Sequence, residues 1–377
     1  MARPSLDIAI SGAGITGLAA GLALARNGCR VTIHERAPVL AEVGAGIQLS
    51  PNASRILRGW GLIDAVAHAS CEPECVQMLD GETGGAVSSL PLRAAMVRHG
   101  APYLVLHRSD LHGILAAACH AAGVTIVTGS EITAFGQGDG KAQFSGPAAG
   151  DQTCDVLVAA DGVNSVLRQQ IDAAAKPVAD GQTAWRATLP LDDCDELADP
   201  ASTSVFMGAG RHLVAYRMGA RQTVNLVGIA PSTAQSPAAA FSGWRGPARS
   251  LILRAENWLN WPLRKVESQN WTQGRMVLTG DAAHAMTPHA AQGGAMAIED
   301  AAVLAKCLAE TASVEAALAR YAGERKARTA RVSVLSDQNR RIYQLSGPLA
   351  LARNLALKAM PGELALRRLE WLYGWQG

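Results

Sequence analysis

Groups able to bind an anion or move a proton are densest in Arg275–Asp300, RMVLTGDAAHAMTPHAAQGGAMAIED. Met276–Leu278 reads as an apolar strand ending in Gly280-Asp281, Thr287-Pro288-His289 as a polar turn, and Gly293-Gly294 as the opening of an Ala-rich helix. Asp281 then sits at a strand's carboxyl end, where open α/β sheets bind ligands. The paired glycines let N–H groups at a helix N-terminus approach an anion. His289 stands beside this cradle, and an imidazole that titrates near neutrality can move a proton. His212 is the second such candidate, with Tyr216 four residues on and therefore on the same face of a strand.

These groups need a frame, and the start of the chain supplies one. Leu6–Ser11 reads as a buried strand, Gly12-Ala13-Gly14-Ile15-Thr16-Gly17 as a turn into a helix over Leu18–Asn27, and Arg30–His34 as a second strand ending at Glu35. Gly12 permits the tight turn, Gly14 lets backbone approach a pyrophosphate, and Gly17 lets helix and strand pack closely. Glu35, with Arg36 beside it, is placed to bond a ribose hydroxyl. A third strand-like run, Asp155–Ala160, ends in Asp161-Gly162 and leads to Asn164, Ser165 and Arg168 at a helix start.

Composition bounds the function classes. The 377 residues exceed a usual single core, so two packed units sharing one ligand are expected. A net charge of +2 without a basic stripe in the first two-thirds argues against nucleic-acid binding. Only Cys71 and Cys75 of the seven cysteines lie close together, and no His or Cys partners them, so no metal site is expected and reduced cytosolic thiols fit. Ile8–Leu24 is broken by Gly12, Gly14 and Gly17, unlike a signal-peptide core, and no apolar run is long enough to span a bilayer. The expectation is a cytoplasmic protein, monomeric or homodimeric.

Taken together, Gly12–Gly17 with Glu35, Asp161-Gly162-Val163-Asn164-Ser165-Val166-Leu167-Arg168, and Gly280-Asp281-Ala282-Ala283-His284 resemble the three fingerprints of single-component FAD-dependent aromatic hydroxylases. This is the para-hydroxybenzoate hydroxylase-like group of flavoprotein monooxygenases, and the resemblance covers nearly the whole chain. Gly44–Asn52, His107–His112, Trp185-Arg186 and Pro288–Gly294 are similar to the branch containing salicylate hydroxylase, 3-hydroxybenzoate 6-hydroxylase and 6-hydroxynicotinate 3-monooxygenase.

The resemblance implies non-covalently bound FAD, with NADH or NADPH as a transient co-substrate and dioxygen and a small aromatic compound as substrates. Gly12, Gly14 and Gly17 would hold the pyrophosphate, Glu35 and Arg36 the adenosine side, and Arg108 the ribityl or phosphate region. Asp161 and Gly162 would serve FAD, Asp281 the ribityl chain, and Gly293 and Gly294 the edge of the ring system. Gln48 belongs to the same site. It stands where relatives acting on hydroxynicotinate carry histidine, which favours a benzoate-like or other phenolic ring. The implied chemistry is electrophilic hydroxylation through a flavin C4a-hydroperoxide, aided by deprotonation of a ring hydroxyl. His289, following Pro288, and His212 are the candidate catalytic groups, and Tyr103, Tyr216, Arg186 and Arg217 the candidate substrate contacts. A flavin oxidoreductase that inserts no oxygen and a non-catalytic flavin-binding protein stay open as alternatives.

The middle of the chain reads differently. Thr183–Leu189, Thr203–Met207, His212–Met218 and Gln222–Ile229 are β-rich runs, with a hairpin over Arg217–Gln222. The fold class expected is α/β, a Rossmann-like FAD-binding domain with a parallel sheet, interrupted by a substrate domain with a mainly antiparallel sheet, and a helical C-terminus. The FAD-binding domain is assigned residues 1–72, 101–177 and 271–345, the substrate domain 73–100 and 178–270, and the C-terminal helical segment 346–377. Beyond Ile298 the pattern is helical and basic, with Arg325, Lys326, Arg328, Arg331, Arg340 and Arg341 read as a solvated face and Gly347-Pro348 as a helix breaker. His284 reads as structural, bonded to backbone. The aromatic tail Trp371, Tyr373 and Trp375 is expected to pack on the body or a second subunit.

Overall fold

The computed structural model describes residues 5–40, 46–194 and 201–377, so Gly44 and Ala45 of the Gly44–Asn52 segment lie outside the described residues. Short, almost wholly apolar runs can be buried on both faces only inside a helix-covered parallel sheet. Asp7–Ser11, Val156–Ala159 and Met276–Leu278 do this. They lie side by side in a six-stranded sheet ordered Thr272–Gln273, Met276–Leu278, Val156–Ala159, Asp7–Ser11, Arg30–Glu35, Thr125–Thr128. All neighbours run parallel except the edge pair Thr272–Gln273 with Met276–Leu278. The first helix runs over Ile15–Arg26, starting three residues before the expected Leu18, because Gly14 is still extended and the chain turns immediately after it. It packs against the Ala-rich helix Gly293–Glu310.

A second, seven-stranded sheet takes the β-branched and aromatic runs. Its order is Leu259–Lys265, Val178–Pro190, Thr223–Pro231, Arg211–Met218, Thr203–Gly208, Cys75–Asp80, Ala86–Pro91, antiparallel except where Thr203–Gly208 meets Cys75–Asp80. One face buries Leu213, Ala215, Leu226, Trp185 and Ala187 against Phe241 and Trp244. The other turns toward the parallel-sheet half. A small sheet of Gly46–Leu49, Leu104–His107 and Ser70–Cys71 lies between the two. Among the described residues no helix is long and apolar enough to cross a membrane.

The C-terminal region departs from the sequence reading in two ways. Val314–Tyr343 is one helix of 30 residues, and Gly347-Pro348 opens the following helix, Gly347–Ala359, rather than breaking one, since proline fits the first helical turn. The basic residues do not all form a solvated face either: Arg331 and Arg341 are exposed, but others are drawn inward. Arg325 is 1% exposed, donating to Glu299 from Nη1 (2.6 Å) and to Asp300 from Nε (2.7 Å). Arg328 adds two 2.7 Å bonds to the two Glu299 oxygens and reaches the carbonyls of Trp371 and Leu372. The aromatic tail packs on the body, with the Arg331 guanidinium over the Trp371 ring at 3.8 Å and that of Arg328 over Trp375 at 4.9 Å. Two buried carboxylates on the facing helix draw Arg325 and Arg328 inward.

Asp300 carries this network to the parallel sheet. It accepts from Gly280 N (2.9 Å) and His284 Nε2 (2.6 Å) as well as Arg325. His284 is thus structural, but its partner is this carboxylate and not backbone. Burial alone would raise the Asp300 carboxyl; His284 and Arg325 hold it well below its usual range. Removing one partner of a buried ion pair strands the other, which costs about 3–5 kcal/mol. Asp300→Asn should lower the unfolding free energy by that amount, read as a lower urea midpoint with an unchanged slope. Because the folded pKa of Asp300 is depressed, its stabilisation is present above the ordinary carboxylate value of about 4 and fades as pH falls below it. Urea titrations at decreasing pH should therefore show a steeper loss in the parent than in Asp300→Asn.

Candidate functional site

Parallel order brings the strand ends into one row. Leu278, Ala159, Ser11 and Glu35 close four neighbouring strands, so Gly280-Asp281, Asp161-Gly162, the Gly12–Gly17 turn and Glu35 share one edge of the sheet. Gly12 has φ 99°, and a Cβ there would come within 2.6 Å of the Ala160 carbonyl oxygen. A Cβ at Gly17 would strike the Gly12 carbonyl. Gly14, Gly162 and Gly293 differ, since a Cβ on any of them would meet nothing within 4 Å. Two kinds of glycine are therefore present, one set packed against backbone and one facing open space.

The polar groups along this edge complete a cradle. Glu35 accepts from Ala13 N (2.7 Å) and Ala37 N (2.9 Å), holding the glycine turn, and Arg36 beside it is exposed. Asp161 Oδ2 accepts from Val166 N (3.0 Å) and Leu167 N (3.4 Å), while its buried Oδ1 has no partner. Burial raises the Asp161 carboxyl above its usual value. Asp281 is exposed at the start of a single helical turn, Asp281–His284. Between the Pro288–Ala290 turn and Gly293, Ala291 takes φ 50°, a left-handed conformation that costs a residue with a Cβ roughly 1–2 kcal/mol. That strained residue redirects the chain from His289 to the helix N-terminus. Open glycines, an orphan carboxylate oxygen and helix N–H groups fit a pyrophosphate and ring-bearing ligand such as FAD.

Above the cradle, sheet register decides which side chains converge. Val214 and Val227 are paired across strands, and so are Val227 and Arg186, and Tyr216 and Asn225. Paired residues share a face. His212, Tyr216, Asn225 and Arg186 therefore look the same way, toward the parallel-sheet half. Arg217 does not join them, because successive strand residues alternate; it bonds Gln222 Oε1 at the hairpin (3.0 Å). Arg217 thus lies off the face that carries Arg186, Tyr216 and His212. Tyr103 and Gln48 do come to the same region. Tyr103 OH donates to Gln48 Oε1 (2.6 Å), Tyr216 packs on Gly46, and Gly46 N donates to Asn225 Oδ1 (2.8 Å). The Arg186 guanidinium lies 5.5 Å over the Trp261 ring. Burial lowers its pKa from the usual value; Tyr216 opposes this, and Arg108, at the start of helix Arg108–Ala121, adds to it.

His212 and His289 meet from opposite halves, with ring centroids 5.2 Å apart. Both are buried, and neither nitrogen of His289 has a partner. The expectation that they titrate near neutrality fails. Burial, with Arg340 adding to it, pushes His289 down to about 4. Burial, then His289 and Arg340, take His212 well below its usual value. Both rings are neutral at pH 7.

Several contributors escaped the sequence reading. Asn52 Nδ2 donates to Glu299 (2.7 Å), and Gln292 Nε2 donates to Ser50 Oγ (2.9 Å), tying the Gly46–Leu49 segment to the Gly293 helix. Tyr343 packs on His212 and Tyr373 on Tyr103, so the far end of the chain packs against this group of side chains. The one available signal was Glu299-Asp300 itself, two charges inside the otherwise apolar run Ala295–Ala305.

Comparison with known proteins agrees with this geometry. A family model described as FAD binding domain matches residues 5–241 and 247–336. The chain is 36% identical over 386 residues to 3-hydroxybenzoate 6-hydroxylase 1 of Aquipseudomonas alcaligenes, covering 98% of this chain and 97% of that one. It is 33% identical to 6-hydroxynicotinate 3-monooxygenase of Bordetella bronchiseptica, over 88% and 91% of the two chains. The fold matches that of Klebsiella pneumoniae HpxO complexed with FAD and uric acid at a TM-score of 0.87 and 23% identity, over 97% and 96% of the chains. These relatives favour oxygen insertion over the two alternative readings. The chain belongs to the family of FAD-dependent aromatic hydroxylases, monooxygenases that work with FAD and a reduced nicotinamide nucleotide.

Proposed function

We propose that this enzyme hydroxylates a phenolic ring bearing a carboxylate, bound between the glycine cradle and the sheet face that presents Arg186, Tyr216 and His212. One observation carries the reading. Arg186 is largely buried in that face and makes no hydrogen bond or ion pair among the described residues. A guanidinium that stays charged and lacks an anion suits a carboxylate, which it can fork with two bonds. Two relatives are named for carboxylated hydroxy-aromatic compounds, hydroxybenzoate and hydroxynicotinate. Gln48, at the place where hydroxynicotinate relatives carry histidine, favours the benzoate-like member.

In this reading Gly12, Gly14, Gly17, Glu35 and Arg36 hold the adenosine and pyrophosphate part of FAD. Asp161, Gly162, Arg108 and Asp281 hold its middle, and Gly293, Gly294 and Gln48 border its ring. Bound FAD supplies the oxygen chemistry. The residues above it orient the ring, with Arg186 on the carboxylate and Tyr103 and Tyr216 on its flanks, and exclude water. Pro288 sets the turn that presents His289. A pKa near 4 makes His289 a poor resting place for a phenolic proton, whose ordinary pKa of about 10 lies roughly 8 kcal/mol away. Its free nitrogens instead hydrogen-bond the ring hydroxyl, while Arg340 and Lys265, which depress His289, favour the phenolate. The seven free cysteines suit a cytoplasmic setting, and we read the enzyme as a monomer or homodimer.

Labelled dioxygen incorporated into 3-hydroxybenzoate, with NADH or NADPH, tests the activity directly. Arg186→Met should lower kcat/KM for that substrate about 10- to 150-fold, the worth of a hydrogen bond to a charged group, and spare a phenol without a carboxylate. Equal losses on both would exclude the carboxylate contact. Gly14→Val should weaken FAD binding at least tenfold while leaving the apoprotein's thermal unfolding nearly unchanged, because a Cβ there meets no protein atom within 4 Å. Finally, His289 has a folded pKa below its unfolded value, so its share of stability is complete above about pH 6.5 and declines as pH falls toward 4, by up to about 3 kcal/mol. Urea midpoints of His289→Asn should fall less over that interval than those of the parent.

A further inference from the structure

A backbone carbonyl can only accept a hydrogen bond, so a chain of side-chain amides that starts on one has its direction set throughout. Gly210 O accepts from Gln182 Nε2 (3.3 Å), and the same nitrogen donates to Gln344 Oε1 (2.9 Å). Gln344 Nε2 returns a bond to Gln182 Oε1 (3.2 Å) and lies 3.2 Å from His212 Nδ1. Turning Gln182 over would set its oxygen against the Gly210 carbonyl. Turning Gln344 alone would set nitrogen against nitrogen and oxygen against oxygen within the pair. With both amides fixed, an N–H faces His212 Nδ1, which must accept. A neutral imidazole carries a single proton, and here that proton is on Nε2.

We propose that Gln344, oriented through Gln182 by the Gly210 carbonyl, is a positioning residue that locks His212 as its Nε2–H tautomer, making it a hydrogen-bond donor to the substrate's phenolate oxygen. His212 is thereby excluded as the group that takes the phenolic proton, since an Nε2 already carrying hydrogen cannot accept another. The two imidazoles divide the work. His212 donates from the sheet, and His289, with neither nitrogen engaged, is free to accept a hydrogen bond from the ring hydroxyl on the side of the turn. Gln344 also lies immediately after Tyr343, whose ring is 5.4 Å from that of His212, so the end of the long helix holds the imidazole from two sides.

The inference rests on the reading of this sheet face as the substrate site, but its first test needs no substrate. Nitrogen-15 spectra of the ligand-free holoenzyme with labelled histidine, assigned with His212→Asn, should show His212 protonated on Nε2 alone. In Gln344→Glu, whose carboxylate accepts, the proton should move to Nδ1. A native His212 protonated on Nδ1, or a tautomer unchanged in Gln344→Glu, overturns the proposal whatever the substrate is. Gln344→Glu should also lower kcat about 10- to 100-fold, the loss of one hydrogen bond to a charged oxygen, with KM changed less. Inversion of the tautomer with parental kcat would overturn the donor role, and the native spectrum alone decides the tautomer if that variant does not fold.

Discussion

Glu299 and Asp300 are consecutive and fully buried on the helix that begins at Gly293, and like charges in a low-dielectric interior persist only when their oxygens are compensated. Arg325 and Arg328 from the long helix, Asn52 from the strand-to-helix corner, and His284 and Gly280 N from the third strand end provide that compensation. These partners come from three separate parts of the chain. The charged pair therefore acts as a common anchor for the Gly280-Asp281 turn, the Gly293 helix and the C-terminal tail. A shift in any of these would leave a buried carboxylate or guanidinium exposed to its own desolvation cost. The geometry of the cradle is held by this network together with the apolar core beneath it.

The other half of the site is held by packing and register. The seven-stranded sheet sends its Leu213 and Trp185 side into a separate apolar core and turns its His212, Tyr216 and Arg186 side inward. Ion pairs between Arg340 and Asp180 and between Lys265 and Asp337 tie this sheet to the long helix. That same helix holds the His289 turn, since Asn339 Nδ2 donates to His289 O (3.1 Å) and Ser336 Oγ to Thr287 O (2.7 Å). One helix thus aligns both histidines. Tyr103, Tyr343 and Tyr373 close the remaining side, and their burial raises all three phenols above the ordinary value, keeping them neutral around the pocket.

Much of this was legible in the residues themselves, for reasons of local physics. A tight turn with φ 99° needs Gly12, a helix start needs a residue that leaves extended backbone, and strands buried on both faces need unbroken apolar runs. Those demands act over a few residues, so the βα turn at Gly12–Gly17, the strand ending at Asp281 and the β-rich middle could be read directly, and the three fingerprints with them. What failed were readings that depend on distant partners. Arg325 and Arg328 sit in a basic stretch that looks solvated, and only Glu299 and Asp300, on the preceding helix, draw them inside. Arg217 has the right chemistry for a carboxylate but the wrong parity on its strand. His289 and His212 are ordinary imidazoles in sequence, and their lowered pKa values come from burial and from Arg340.

Local sequence therefore sets the glycine cradle, because its parts are turns and caps whose conformations are decided over a few residues. It also determined that a histidine, a phenol and a guanidinium were at hand. Only the tertiary structure decided which of them face one another, since sheet register selects Arg186 and Tyr216 and leaves Arg217 outside. It alone decided their protonation, because desolvation is a property of the assembled interior. The direction of the Gly210, Gln182, Gln344 and His212 chain of hydrogen bonds is of the same kind, joining residues from two strands and the end of a helix that no spacing rule connects.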